Sequence, residues 1–208
     1  MKLLDECDSK MFAVIGLGNP GPKYSKHRHN IGFMTLDALA DDLGATWSPV
    51  RNEAITCATE YADRKLILVK PQTFMNLSGK AVNKILSNRN INYGSLIVIH
   101  DELDINLGRV RIKAGGGDGG HKGVRSIADS LRFRDFIRVR LGIGRPPEGM
   151  TAEAFVLSPF PSSEAPVVKR LIDLATQATK LIVTDGIERA RNTINTIKDA
   201  EMAPLAPQ

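Results

Sequence analysis

The sequence predicts an α/β fold in a single globular domain, and three observations lead there. Short apolar runs of strand length, Phe12-Ala13-Val14-Ile15, Leu66-Ile67-Leu68-Val69 and Leu96-Ile97-Val98-Ile99, each break abruptly into a loop of glycine, proline or polar residues. Helical periodicities follow the loops, as where Val124, Ile127, Ala128 and Leu131 fall at i, i+3, i+4 and i+7. The 208 residues, 42% hydrophobic and 25% charged, supply one sizeable core. The expected layout is a flexible extension over 1–10, a domain over 11–199 and a disordered tail over 200–208.

Taken in order, the first strand runs from Met11 to Leu17 and gives way to Gly16-Leu17-Gly18-Asn19-Pro20-Gly21-Pro22, which continues as neither strand nor helix. After Asn30, Leu36, Leu39, Ala40 and Leu43 predict a helix closed by Gly44. Strands follow over 54–60 and 65–70. Ser78 then reads as the cap of a helix with Val82, Ile85 and Leu86 on its apolar stripe. A buried strand over 95–100 ends in His100-Asp101-Glu102-Leu103-Asp104. Two further strands alternate apolar and basic residues, Val110 and Ile112 with Arg109, Arg111 and Lys113, and Ile137 to Ile143 with Arg138 and Arg140. A period of two puts the basic members of each strand on one face. Between them Gly115 to Gly123 feeds a helix N-terminus, a favourable setting for phosphate. The chain closes with a helix ending at Gly186 and a shorter one carrying Ile187, Ala190, Ile194 and Ile197.

Composition excludes several classes. No apolar run approaches the roughly 20 residues that cross a bilayer, and the N-terminus has no apolar core of signal-peptide length, so a cytoplasmic protein is expected. Cys7 and Cys57 are too few for a disulfide framework or a thiolate metal site. The net charge of +5 is uneven: residues 109–145 hold ten Lys or Arg against three Asp, an excess of seven, so the rest of the chain sums to −2. Such a field suits a polyanion such as nucleic acid, and equally a solvated face that keeps the protein soluble.

The chemistry concentrates in the strand-end loops, where open α/β sheets present their sites. Gly16, Gly18 and Gly21 match G-x-G-x-x-G literally. Pro20 and Pro22 hold the chain out of the helix a dinucleotide requires, and Asp37 and Asp41 fall inside a helix instead of at a second strand end. The later glycine loop lacks the G-K-[ST] ending of a P-loop. Of the four histidines, His27 and His29 would point the same way in an extended loop, and with Asp101 and His121 they could be drawn as a zinc site, although the signature spacings are absent. The competing arrangement is one imidazole as general base with a carboxylate fixing its tautomer, which selects His29 and Asp101.

Several long motifs occur together in order: Gly16-Leu17-Gly18-Asn19-Pro20-Gly21, Tyr24, Arg28-His29-Asn30, Lys70 to Gly79, His100 to Asp104, Gly115 to His121 and Arg140-Leu141-Gly142-Ile143-Gly144. Together they resemble the bacterial-type peptidyl-tRNA hydrolases from about Met11 to Lys198. The resemblance implies a twisted mixed β-sheet flanked by helices and an esterase that needs no metal or organic cofactor. Its substrate would be a peptide esterified to the terminal ribose of tRNA, and its role to recycle tRNA from prematurely released peptidyl-tRNA. It further implies a cytoplasmic monomer with no membrane and no obligate protein partner.

By the same resemblance His29 matches the base that deprotonates water and Asp101 its partner. Asn19 and Asn76 match amides that hold the peptide main chain, Asn19 being tied to a preference for N-blocked peptidyl-tRNA. Amides donate and accept, so they read a backbone without reading side chains. Tyr24, Phe74, Met75 and His121 would line the cleft, and Lys113, Arg138 and Arg140 match positions suited to tRNA phosphates. One position departs: where the family usually reads His-Asn-Gly, this chain reads His121-Lys122-Gly123. A lysine there would disfavour a neighbouring imidazolium, stabilise an oxyanion or contact the terminal phosphate, so activity is expected to be retained but altered. The same fold occurs in splicing cofactors that bind RNA without hydrolysing it, which supplies the alternative reading.

Overall fold

The structure is a computed structural model that describes residues 11–197; the expectations for an extension over 1–10 and a tail over 200–208, and Cys7, lie outside the described residues. Six strands form one mixed sheet in the order β2-β3-β1-β4-β6-β5, with β1 Met11–Gly16, β2 Ala54–Tyr61, β3 Arg64–Pro71, β4 Leu96–Glu102, β5 Val110–Ala114 and β6 Ile137–Gly142. The four central strands run parallel and the two edge strands antiparallel to their neighbours. Parallel pairing needs crossovers that cover both faces, which is why β1, β3 and β4 read as continuous apolar runs. Helices α1 Ile31–Asp42 and α5 Ala165–Thr196 cover one face, packing on Val14, Ile97, Val139 and their neighbours. Helices α2 Ser78–Arg89 and α3 Lys122–Leu131 cover the other, over Ile15, Val69 and Val98. A five-residue helix, α4 Ala152–Val156, stands apart from both layers.

Most boundaries fall where the sequence puts them. Gly44 adopts a φ of +61° just past α1, and Gly186, at φ +79°, breaks α5 into the two expected helices. The two alternating strands pair with each other, Arg111 opposite Arg140 and Lys113 opposite Arg138, so the basic faces expected of each strand merge and four cations share a face. Ser78 differs from expectation: it is the first residue of α2, fully buried, and its hydroxyl donates to the Met75 carbonyl at 2.9 Å instead of accepting from the helix.

The topology places the site. The chain passes from β1 to β3 on one side of β1 and from β3 to β4 on the other, so a crevice opens beyond the carboxyl ends of these three strands. Helix α1 sits hard against that edge through Gly32, where a Cβ would lie 2.5 Å from both the Ile99 carbonyl oxygen and the Leu17 nitrogen. Only glycine permits that approach.

Candidate active site

Asn30 fixes the end of β1. Its carboxamide accepts from the Asn19 backbone N–H at 3.0 Å and donates to the Asn19 carbonyl at 2.9 Å, clamping the Gly/Pro loop to the turn over residues 28–30. The side chain of Asn19 is then aimed by a third bond, Oδ1 accepting from the Met75 backbone N–H at 2.9 Å. Because a backbone N–H can only donate, the oxygen is committed and the Nδ2 donors are what Asn19 offers to the cleft it lines.

Asp101, near the end of β4 and buried, receives two imidazoles. His29 Nδ1 lies 2.9 Å from Oδ1 and 3.0 Å from Oδ2, and His121 Nε2 lies 3.0 Å from Oδ1. Backbone geometry assigns the tautomers. His121 is the N-cap of α3, its Nδ1 accepting from the Gly123 and Val124 N–H groups at 3.1 and 3.3 Å. Its proton is therefore on Nε2 and is donated to Asp101. An ionised carboxylate only accepts, so His29, which lines the cleft, donates from Nδ1 and keeps a lone pair on Nε2. Burial pushes the Asp101 carboxyl up, but the charge attraction and hydrogen bonds of His29 and His121 outweigh it and hold the group well below the usual carboxylate range.

A third ring backs the pair. His100 donates from Nδ1 to the Asp101 backbone carbonyl at 2.7 Å and packs edge-on against His121, centroids 4.8 Å apart. Burial holds its pKa well below the ordinary histidine value, so it stays neutral.

The cleft beyond these groups encloses about 660 Å³. Nine residues singled out from the sequence line it: Asn19, Tyr24, His29, Phe74, Met75, Asn76, Asp101, His121 and Lys122. Tyr24 and Phe74 meet edge to face at 6.5 Å on its rim, with Phe74 exposed. Lys122 turns its ammonium to Glu153 at 2.8 Å across the cleft mouth, so its charge is matched instead of bearing on the imidazole. Sequence reasoning missed the wall formed by Ala152, Glu153, Val156 and Leu157, because a five-residue helix is too short to show a period. The clamp made by Asn30 has no sequence signal beyond an amide beside the candidate base.

Lys113, Arg138 and Arg140 do not line the cleft. Lys113 is exposed, and Arg140 forms a fork with Glu102 at 2.8 and 3.0 Å. Arg138 corrects the expectation of a phosphate contact: it is buried, and its guanidinium donates to the carbonyls of Gly116 and Gly117 at 2.8 and 2.6 Å, pinning the glycine loop. The phosphate setting at the α3 N-terminus is likewise taken, since His121 caps its first N–H groups. The basic segment is also less positive than its sequence, because Glu102, Asp104 and Glu153 pair with Arg140, Arg145 and Lys122 and reduce the local excess from seven to four.

His27 does not join the cluster. The loop turns at 28–30 instead of extending, and the ring packs on Tyr24 at 5.4 Å. His29, Asp101 and His121 do bring one ligand atom each within 4.8 Å of one another. The fit to a metal is nevertheless poor. Coordination by His121 Nε2 would move its proton to Nδ1 and break the α3 cap, and coordination by His29 Nδ1 would displace the donor that Asp101 holds.

The cleft of this α/β fold thus holds an imidazole paired with a buried carboxylate, the arrangement general-base chemistry requires. The sequence pattern of the family described as peptidyl-tRNA hydrolase matches residues 13–202, and the chain belongs to that family. It is 46% identical over 183 residues to a peptidyl-tRNA hydrolase of Mycolicibacterium gilvum, covering 88% of this chain and 95% of that one. A peptidyl-tRNA hydrolase of Frankia casuarinae is 46% identical over 179 residues, 86% of this chain and 91% of the relative. Among solved structures, the peptidyl-tRNA hydrolase of Acinetobacter baumannii superposes with a TM-score of 0.86 at 35% identity, covering 92% and 97% of the two chains. The relatives are hydrolases by name, and none of these comparisons favours the RNA-binding alternative.

Proposed function

We propose that the cleft hydrolyses the ester between a peptide C-terminus and the 3′-terminal ribose of tRNA. The observation that carries the proposal is the 2.9 Å contact of His29 Nδ1 with Asp101, which leaves Nε2 of this cleft-lining residue as an acceptor. A water at that nitrogen gives up its proton as its oxygen attacks the ester carbonyl, and Asp101 steadies the imidazolium. The same proton then passes to the departing ribose oxygen, releasing a free peptide and tRNA with its hydroxyl restored. The Nδ2 donors of Asn19 and the amide of Asn76 hold the peptide main chain. Tyr24, Phe74 and Met75 form the apolar side of the cleft, and His121 serves by fixing Asp101. Exposed Lys113, and Arg140 at the edge of its pair with Glu102, meet the tRNA backbone, while Lys122 exchanges Glu153 for a phosphate near the ester. We place the enzyme in the cytoplasm as a monomer that recycles tRNA from prematurely released peptidyl-tRNA. The test is release of acyl groups from labelled N-acetyl-aminoacyl-tRNA and from free aminoacyl-tRNA by purified protein. Rapid release from the blocked substrate alone supports the proposal; binding without release refutes it.

A further inference from the structure

Arg28, the residue before the general base, is 5% exposed, and burying a guanidinium is costly unless it is paired and hydrogen-bonded. Its partners all belong to one remote segment. Nη2 reaches Glu164 Oε2 at 2.9 Å, while Nη1 donates to Ser158 Oγ at 3.2 Å and to the Pro159 carbonyl. The planar group lies between two rings, with Cζ 4.4 Å from the centroid of Phe155 and 4.9 Å from that of Phe160. The backbone follows the same course: the Arg28 N–H donates to the Ser158 carbonyl at 3.0 Å, and the Phe160 N–H to the Lys26 carbonyl at 3.3 Å.

That segment is continuous with the cleft wall, since Ala152, Glu153, Val156 and Leu157 line the cavity immediately before the residues that hold Arg28. On its other side Arg28 continues into the turn that carries His29 and Asn30, which clamps Asn19. One side chain thus lies between the wall and the base.

We propose that Arg28 is a positioning residue: its guanidinium fastens the 155–164 segment to the turn bearing His29, and so sets the register between the cleft wall and the general base. The inference rests on the reading of His29 as that base. Lysine cannot substitute, because an ammonium has neither the flat faces that fill the slot between Phe155 and Phe160 nor the fork that serves Glu164 and the Pro159 carbonyl together.

The test compares the natural protein, Arg28→Lys, Arg28→Ala and Glu164→Gln for single-turnover hydrolysis of N-acetyl-aminoacyl-tRNA, affinity for uncharged tRNA and melting temperature, with His29→Ala as the inactive control. For both Arg28→Lys and Glu164→Gln the expected result is a fall in rate with the tRNA dissociation constant within twofold of the natural protein's. The fall for Arg28→Lys is about 10- to 100-fold, the cost of displacing a reacting group by about 1 Å. Methylguanidinium at millimolar concentration restores part of the rate of Arg28→Ala and none of that of His29→Ala. Natural rates in both Arg28→Lys and Glu164→Gln overturn the proposal, as does a loss that merely follows the unfolded fraction. Should the Arg28 variants fail to fold, Glu164→Gln alone decides. An inactive natural protein, by contrast, sinks the proposed function itself.

Discussion

Replacing Asp101 by asparagine removes one charge and about one hydrogen-bond acceptor from a site whose geometry shows what each does. Oδ1 takes N–H groups from both His29 and His121, at 2.9 and 3.0 Å, and Oδ2 lies 3.0 Å from His29 Nδ1. If the asparagine oxygen occupies the Oδ1 position, both imidazoles keep an acceptor and the amide hydrogens crowd the Nδ1 proton. If it occupies the Oδ2 position, His29 Nδ1 keeps an acceptor at 3.0 Å, while the amide nitrogen faces His121 Nε2, which loses its own. In the milder case the loss is the carboxylate's attraction for the imidazolium formed in the transition state. At roughly 4 Å between charge centres and an effective dielectric of about 20 this attraction is about 4 kcal/mol. At about 1.4 kcal/mol per decade, that is close to a 10³-fold fall in kcat. The assay is single-turnover hydrolysis of N-acetyl-aminoacyl-tRNA, with uncharged tRNA binding as the control for fold and docking. A rate within tenfold of the natural protein's would refute the assignment of Asp101 as the partner of the base.

Other consequences follow from the same contacts. His121→Asn keeps a side-chain cap on α3 but cannot also reach Asp101, so the melting temperature stays close to the natural one while kcat drops about tenfold. His121→Ala loses the cap as well and costs about 1 kcal/mol or more of stability in urea unfolding. Lys122→Asn removes a pair whose ends are both exposed, so the melting temperature is unchanged and kcat stays within about fivefold; a null natural protein rescued by this change would contradict the account. Stability falls with acid in two stages. His100 has a lowered folded-state pKa, so below about 6.5 the unfolded chain takes up a proton the folded one refuses, at up to about 1.4 kcal/mol per pH unit. The contribution of Asp101, also depressed, is present above about 3.9 and lost only as pH falls through its folded value. Urea unfolding at pH 7.5 and 5.5 should therefore show a drop for the natural protein that His100→Asn largely removes. Gly32→Ala drives a Cβ against the Ile99 carbonyl and the Leu17 nitrogen, and should cost about 1–3 kcal/mol together with activity.

Local signals in the chain were strong where a residue's neighbours in sequence are also its neighbours in space. The apolar runs that became β1, β3 and β4, the stop at Gly44 and the break at Gly186 all depend on periods and turn chemistry within a few residues. The pairing of His29 with Asp101 spans 72 positions and was reached through strand-end chemistry and the family resemblance. Less legible were groups whose partners are fixed only by folding. Arg138 carries the same alternation as Arg140, yet the glycine loop folds over it and takes up its guanidinium. Ser78 has the residue type of a cap, but helix α2 begins one position early and turns its hydroxyl to Met75. His27 and His29 diverge because the loop coils between them. The wall at 152–157 is apolar and short, with nothing in its composition to mark it as part of a cleft.

The most direct measurement is the single-turnover rate of His29→Ala on N-acetyl-aminoacyl-tRNA, set beside its affinity for uncharged tRNA. The account predicts that hydrolysis is lost while tRNA binds as tightly as before. Hydrolysis persisting near the natural rate in that variant would contradict it.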